Sequence, residues 1–306
     1  MLATASLVLV SCCGCMVVVE KLARHDPECM NLMTFSTFLF VTMEGLVSNP
    51  QFIMHKPKIP LKAYVKIVIL FFLVNVINNQ ALSYNIPVPL HIIFRSGSLM
   101  TNLLLGVWIL NKRYSWVKYI SVLMITAGIM ICTSATYSAS VVHGVCMLTF
   151  ALVFSSALGI AQEKLYCQYG KHPREAMFFI HMLSLPGFLL FYKDIMKHTN
   201  LFNQSELIHL PWIGLDIPHL WMLLILVDIA QYFCIRFVYY LTASCSTLTV
   251  TLVITIRKFI SLISSILLFS SPFTVQHWIG TALVFGGTLL FIEPFKRSNS
   301  DKVKTN

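Results

Sequence analysis

Charge is scarce in this chain. Only 11% of its 306 residues are Asp, Glu, Lys or Arg, and just 12 are acidic. A soluble globular domain carries roughly 25% charged residues, so a water-soluble single core is excluded. A disordered chain is excluded as well, because 57% of the residues are hydrophobic and mean hydropathy is +0.76; disorder needs the opposite balance. Common catalytic signatures are also missing: there is no H-E-x-x-H, G-x-S-x-G or G-x-x-x-x-G-K-[ST]. No catalytic residue, metal or cofactor is therefore expected. A membrane-embedded enzyme using a pair such as His91 and Glu44 stays open, though nothing singles it out. Cys12-Cys13-x-Cys15 has no second Cys/His pair at zinc spacing. It is read, like most of the nine cysteines, as small apolar packing residues.

The apolar residues come in ten runs of about 20, the length that crosses a bilayer as a helix. The expected spans are 3–20, 31–48, 63–83, 89–110, 116–134, 141–162, 176–192, 219–241, 245–270 and 275–294. The first is read as a helix rather than a signal peptide, since no basic segment precedes it and no A-x-A site follows. Basic residues are distributed unevenly between the two sides. Fourteen lysines and arginines fall in alternate loops and the tail, against only Lys21, Arg24, Lys193 and Lys197 on the other side. Positive loops stay in the cytosol, so both termini are expected there. The net charge of +10 thus marks loops, not a nucleic-acid partner. Asn203-Gln204-Ser205 is a glycosylation sequon on the lumenal side of this topology.

Ten spans divide into two fives, and an odd repeat inserts its second copy upside down. Tyr114-Ser-Trp-Val-Lys-Tyr-Ile120 is similar to Phe273-Thr-Val-Gln-His-Trp-Ile279, and the same register pairs Gly128 with Gly287. Lys112 and Arg113 precede the first segment, whereas uncharged Ser270-Ser271-Pro272 precedes the second, as inversion requires. The expected fold is an all-α polytopic membrane protein of ten transmembrane helices in two inverted five-helix repeats. The repeats cover 1–138 and 139–294, and 295–306 forms a cytosolic tail.

Ionisable residues at membrane depth are costly and normally face a cavity or a partner. His91, Arg95, Ser98 and Asn102 recur at steps of four, three and four, which is one helix face. Thr247, Thr251, Thr255, Lys258, Ser261 and Ser265 form a second stripe, and Asn75, Asn78 and Asn79 a third group. These stripes are expected to line a polar cavity whose cations suit an anionic ligand. The alternative is that Arg95 and Lys258 pair with Glu20, Glu44 or Asp228 and only hold the bundle together. For Arg257 both readings stay open, and Arg236 is assigned to Asp228. Tyr232 and Gln231 are candidates for contacting a base. Tyr239 and Tyr240 read as interface anchors, and Gly280, Gly286 and Gly287 as close helix packing. Residues 162–181 read as a basic, Gly/Pro-broken helical connector with a surface that attracts anions. Lys302-Val-Lys304-Thr-Asn306 fits the K-x-K-x-x retrieval signal, which coatomer reads on a cytosolic tail.

Several of these segments together resemble the nucleotide-sugar transporters of the drug/metabolite transporter superfamily. They are Asn78-Asn79-Gln-Ala-Leu82, Pro89-Leu-His-Ile-Ile-Phe-Arg-Ser-Gly-Ser-Leu99, Gln162-Glu-Lys-Leu-Tyr166, Tyr169-Gly-Lys-His172, Leu185-Pro-Gly-Phe188, Thr249-Val-Thr-Leu-Val253 and Ile256-Arg-Lys-Phe-Ile-Ser-Leu262. The likeness covers nearly the whole chain and is greatest to the subfamily carrying UDP-xylose and UDP-N-acetylglucosamine. It implies a central cavity, alternating access, and exchange of a cytosolic UDP-sugar for lumenal UMP in the Golgi or endoplasmic reticulum. Carried onto this sequence, it makes Arg257 and Lys258 the first phosphate contacts and Arg95 the next, with Glu20 gating or touching the ligand. The loop from Ser134 to Ser140 is shorter than the resemblance leads one to expect. UDP-glucuronate, UDP-galactose and GDP-fucose remain open as cargo. Expected partners are the UDP-sugar and UMP, the lipid bilayer and coatomer; a homodimer is an open alternative.

Overall fold

In lipid no water is at hand for the backbone, so each apolar run must satisfy its N–H and C=O groups within itself and becomes a helix. A computed structural model of the chain describes residues 2–82, 84, 86–110, 113–136, 139–210, 215–244, 247–269 and 273–292. The tail holding Lys302 and Lys304, and the turn Ser270-Ser271-Pro272, lie outside these described residues, as do the side chains of Thr247 and Thr251. The helices are α1 (Leu2–His25), α2 (Met30–Ser48), the short α3 (Gln51–Met54), α4 (Leu61–Leu82), α5 (Val88–Ser96), α6 (Ser98–Leu110) and α7 (Trp116–Ala135). They continue as α8 (Ala139–Tyr169), α9 (Pro173–Ser184), α10 (Tyr192–Asn203), α11 (His219–Ser244), α12 (Thr247–Phe269) and α13 (Val275–Ile292). Among the described residues, eight stretches are long and apolar enough to cross a membrane, and Val275–Phe291 is a shorter apolar helix. Exposed Val10, Val47, Leu123 and Trp108 carry apolar surface outward, as lipid contact requires. The protein is a polytopic helical membrane protein.

Several sequence expectations are corrected here. The fourth span is not continuous: α5 stops at Ser96, and Gly97 turns tightly, its N–H bonding back to Phe94 O at 2.9 Å. The stretch 162–181 is the helical connector broken at Gly170 and Pro173 that was expected, but its second half, 175–181, is buried and not a surface. Helix α8 runs on to Tyr169 and ends at Gly170, whose φ of 84° suits a residue without Cβ. Pro173 then opens α9, where it lacks only an N–H that would have no helical partner. The seventh span is longer than read, because a 3₁₀ segment, Leu185–Phe191, joins α9 to α10. The chain is not wholly helical either: β1 (Leu207–Leu210) pairs antiparallel with β2 (Leu215–Pro218), His209 opposite Asp216.

Buried Glu175 accounts for the correction at α9. Its carboxylate accepts the backbone N–H of Ile59 at 2.9 Å and of Lys58 at 3.1 Å. Tyr64 also donates to it, at 3.4 Å. A carboxylate placed near the first turn of α9 is favoured by the helix dipole, and here it also ties down the segment before α4.

The closest helix contact is between α7 and α13, which run antiparallel. A Cβ on Gly280 would collide with Gly128 O, and one on Gly287 with Ser121 O. Gly286 differs from the packing expected of it: its added Cβ would meet only Met124 Cε, at 3.9 Å. The register that aligns Tyr114 with Phe273 also aligns Ser121 with Gly280, Gly128 with Gly287, Lys118 with His277 and Cys132 with Phe291. Each contact recurs with the helices exchanged. Gly128 meets Gly280, and Ser121 meets Gly287. Cys132 donates to His277 O at 3.6 Å, and Lys118 lies 5.2 Å from the Phe291 ring. Other neighbours follow the same exchange: α1 packs on α11 and α4 on α8; α2 packs on α11 and α4 on α9.

Three stability outcomes follow. Gly280→Val should lower unfolding free energy by about 1–3 kcal/mol, the usual range for overpacking, whereas Gly286→Ala should stay within about 0.5 kcal/mol. Glu175→Ala should cost about 1–3 kcal/mol by stranding buried N–H groups. Thermal unfolding in detergent checks all three.

Candidate functional site

Helices α1, α4, α5, α8 and α12 enclose a cavity of about 230 Å³, and Ser98 at the start of α6 reaches it too. Asn78, Arg95, Ser98, Arg257, Lys258 and Ser261 supply its polar wall. Met16, Leu148, Ala151 and Leu152 supply its apolar one. Arg95 is exposed although Phe94 and Ser96 on either side are buried, because it faces this space. The break at Gly97 shapes the site. It ends α5 beside Arg95, whose carbonyl accepts a hydrogen bond from Lys258 Nζ at 3.0 Å. A cation is favoured at that helix end. The same break starts α6 at Ser98, so a helix N-terminus with its partial positive charge adjoins the cavity.

The acids that might have neutralised these cations are engaged elsewhere. Glu20 is buried and lies 3.2 Å from Arg24. Glu44 lies 4.0 Å from Arg236. Asp228 accepts hydrogen bonds from Ser36 and, at 2.8 Å, from Thr37. The assignment of Arg236 to Asp228 is therefore corrected: two turns along α11 place them apart, and α2 takes up both. Among the described residues, no carboxylate comes within ion-pair distance of Arg95, Arg257 or Lys258. An unpaired charge held away from water costs several kcal/mol, so three on one cavity demand water or an anion.

The other candidates fall in different places. Asn102 is exposed and does not line the cavity: it sits one turn along α6 from Ser98, beyond the residues that wall it. Asn79 is buried and donates to Thr34 at 2.8 Å and to Met30 O at 3.2 Å, fastening α4 to α2. Gln231 accepts a hydrogen bond from Cys15 Sγ at 2.7 Å. Tyr232 accepts one from Arg236 at 2.7 Å and lines a separate cavity beside Glu44. Asn203 is exposed at the end of α10, its Oδ1 bonded to Trp221 Nε1 at 2.8 Å.

One feature escaped the sequence reading. The α8 wall carries one polar lining residue, Ser155, too little to stand out in an apolar run. His91, expected on the cavity-lining stripe, is buried at the cavity, and its Nε2 has no partner among the described residues. The cysteine reading is corrected at two positions, because Cys12 and Cys234 form a disulfide between α1 and α11. Arg257 Nη1 lies 3.5 Å from Cys234 Sγ, and Ser261 Oγ lies 3.5 Å from Cys13 Sγ. The cysteine face of α1 thus backs the cationic stretch of α12.

A helical membrane bundle around a cavity whose cations meet no carboxylate among the described residues suits a carrier for anionic solutes. The chain belongs to the UAA transporter family, which it matches over residues 1–294. That is a family of transporters, not enzymes. The chain is 49% identical to the UDP-xylose and UDP-N-acetylglucosamine transporter of Danio rerio, over 94% of this chain and 92% of that protein. It is 46% identical to the nucleotide sugar transporter SLC35B4 of Mus musculus, covering 97% and 95%. It is also 46% identical to the endoplasmic reticulum GDP-fucose transporter of Drosophila melanogaster, covering 93% and 88%. One solved crystal structure shares the fold at a TM-score of 0.59 and 14% identity, over 94% of this chain and 97% of that one.

The two adjacent asparagines should separate by function. Asn79→Ala should cost about 1–3 kcal/mol of stability and leave ligand affinity unchanged. Asn78→Ala should do the reverse; thermal unfolding and binding assays read the two effects.

Proposed function

We propose that this chain is an antiporter that carries UDP-N-acetylglucosamine, UDP-xylose or both into the Golgi or endoplasmic reticulum lumen and returns UMP to the cytosol. The observation that carries the reading is the convergence of Arg95, Arg257 and Lys258, without a carboxylate, on one intramembrane cavity. Arginine offers a planar fork to phosphate and lysine a compact charge. Ser98, Ser261 and Asn78 add groups suited to hydroxyls. The names of the Danio and Mus relatives favour a nucleotide sugar. The Drosophila relative is named for GDP-fucose at nearly the same identity, so GDP-fucose is the second reading.

Ten helices in two inverted repeats, 1–138 and 139–294, with both termini cytosolic, supply the framework of the proposal. The exchange-symmetric contacts of α7 and α13 support the repeats, and the uneven basic loops support the orientation. In that orientation Asn203 is lumenal, and the tail lysines Lys302 and Lys304 offer coatomer a retrieval signal.

Charge explains the coupling. A UDP-sugar and UMP each carry about two negative charges near neutral pH, so their exchange moves little net charge across the membrane. An empty cavity with three unpaired cations resists being sealed from water, and either ligand relieves that cost. The cavity, about 230 Å³, is below the roughly 300–1,000 Å³ of small-molecule sites. In this conformation it holds the phosphate-binding centre, and the helices must part to admit a whole nucleotide sugar.

Radiolabelled uptake into proteoliposomes tests the proposal. Internal UMP should stimulate uptake of UDP-N-acetylglucosamine or UDP-xylose above that of GDP-fucose. Lys258→Ala should weaken binding by about tenfold or more, as loss of a charged hydrogen bond does, and abolish exchange without unfolding the protein. Normal exchange by that variant would sink the assignment.

A further inference from the structure

A second basic cavity lies away from the central one. Leu7 of α1, Pro173, Arg174 and Met177 of α9, and Arg236, Phe237, Tyr239 and Tyr240 of α11 enclose about 300 Å³. Arg174, Met177 and Arg236 also wall an adjoining cavity of about 80 Å³ that includes Glu44 and Tyr232. Both guanidinium groups are exposed. Arg236 is only loosely balanced, with Glu44 at 4.0 Å and the Tyr232 hydroxyl at 2.7 Å. Five N–H donors leave it capacity for another acceptor. No carboxylate lies within ion-pair distance of Arg174 among the described residues.

The opposite side of the cleft is apolar and open. Leu7 and Tyr240 are exposed, on the outward surface that also shows Val10 and Phe233. One site therefore presents two arginines to a head group and an aliphatic and aromatic flank to a chain. It sits at the end of the bundle that the basic loops assign to the cytosol, beside exposed Lys171. Basic pockets between membrane helices on that side suit anionic lipid head groups. A free nucleotide would use the arginines but gain nothing from a lipid-facing apolar flank.

We propose that the cleft between α1, α9 and α11 binds an anionic phospholipid, its phosphate held by Arg174 and Arg236 and its acyl chain laid along Leu7, Phe237 and Tyr240. Arg174 offers the cleanest test, because it is exposed and lies outside the central cavity.

The experiment is native mass spectrometry of the detergent-purified full chain, offered equal amounts of phosphatidylserine and phosphatidylcholine. Bound phosphatidylserine should exceed phosphatidylcholine about fivefold, the preference expected of roughly one net basic charge. Arg174→Gln should bring the ratio close to one, and Arg174→Lys should keep most of the preference. Unchanged preference in folded Arg174→Gln overturns the proposal. Displacement of phosphatidylserine by added UMP in Lys258→Ala also overturns it, since the cleft would then be a nucleotide dock. Loss of uptake in Lys258→Ala with lipid preference intact would support both readings, and normal uptake with that preference intact would fail only the transport assignment.

Discussion

Positive charge inside a lipid-spanning bundle is the constraint around which this protein is arranged. Arg95, Arg257 and Lys258 share one cavity, while Glu20, Glu44 and Asp228 are each held by other groups. Had all three of these acids reached the cavity, its charges would cancel and it would have little to offer an anion. The separation is structural: α2 supplies hydroxyls to Asp228 and, at 4.0 Å, a carboxylate to Arg236, so the acid of α11 and its arginine both turn to α2 and not to α12. The cations that remain are stable only when hydrated or occupied, and in the proposed exchange that requirement is what would link ligand binding to sealing of the cavity.

The rest of the framework keeps that cavity in shape. Glycines at 128, 280 and 287 bring α7 and α13 to backbone contact. Van der Waals packing of small residues drives helix association where lipid removes the hydrophobic effect. Behind the cationic stretch, the Cys12–Cys234 disulfide joins α1 to α11. The break at Gly97 brings two helix ends to the binding face. None of these devices adds charge; each sets where existing charge can point. The cleft at Arg174 and Arg236 lies outside this arrangement and meets the bilayer instead.

Much of this was legible in the residues. The scarcity of charge and the runs of about 20 apolar residues dictate membrane helices, because no other open-ended element satisfies its backbone in lipid. The spacing of His91, Arg95 and Ser98, and of Lys258 and Ser261, placed these residues on helix faces that do meet at the cavity. Asn102 failed the same argument because periodicity gives a face but not how far along it the cavity extends: the lining ends at Ser98, one turn earlier on α6. Glu175 was unreadable as a core residue, since a carboxylate in a basic, proline-containing stretch looks solvated until its partners at Lys58 and Ile59 are seen.

By itself, the sequence determined which segments enter the membrane, where the cations sit along them, and which small residues permit close approach. These depend on local composition and periodicity, which short-range physics reads directly. Only the tertiary structure decided which acid meets which base, that Cys12 bonds Cys234, and that Asn79 serves packing while Asn78 faces the cavity. Pairing between distant helices depends on how they are rotated and ordered in the bundle, and no single helix carries that information.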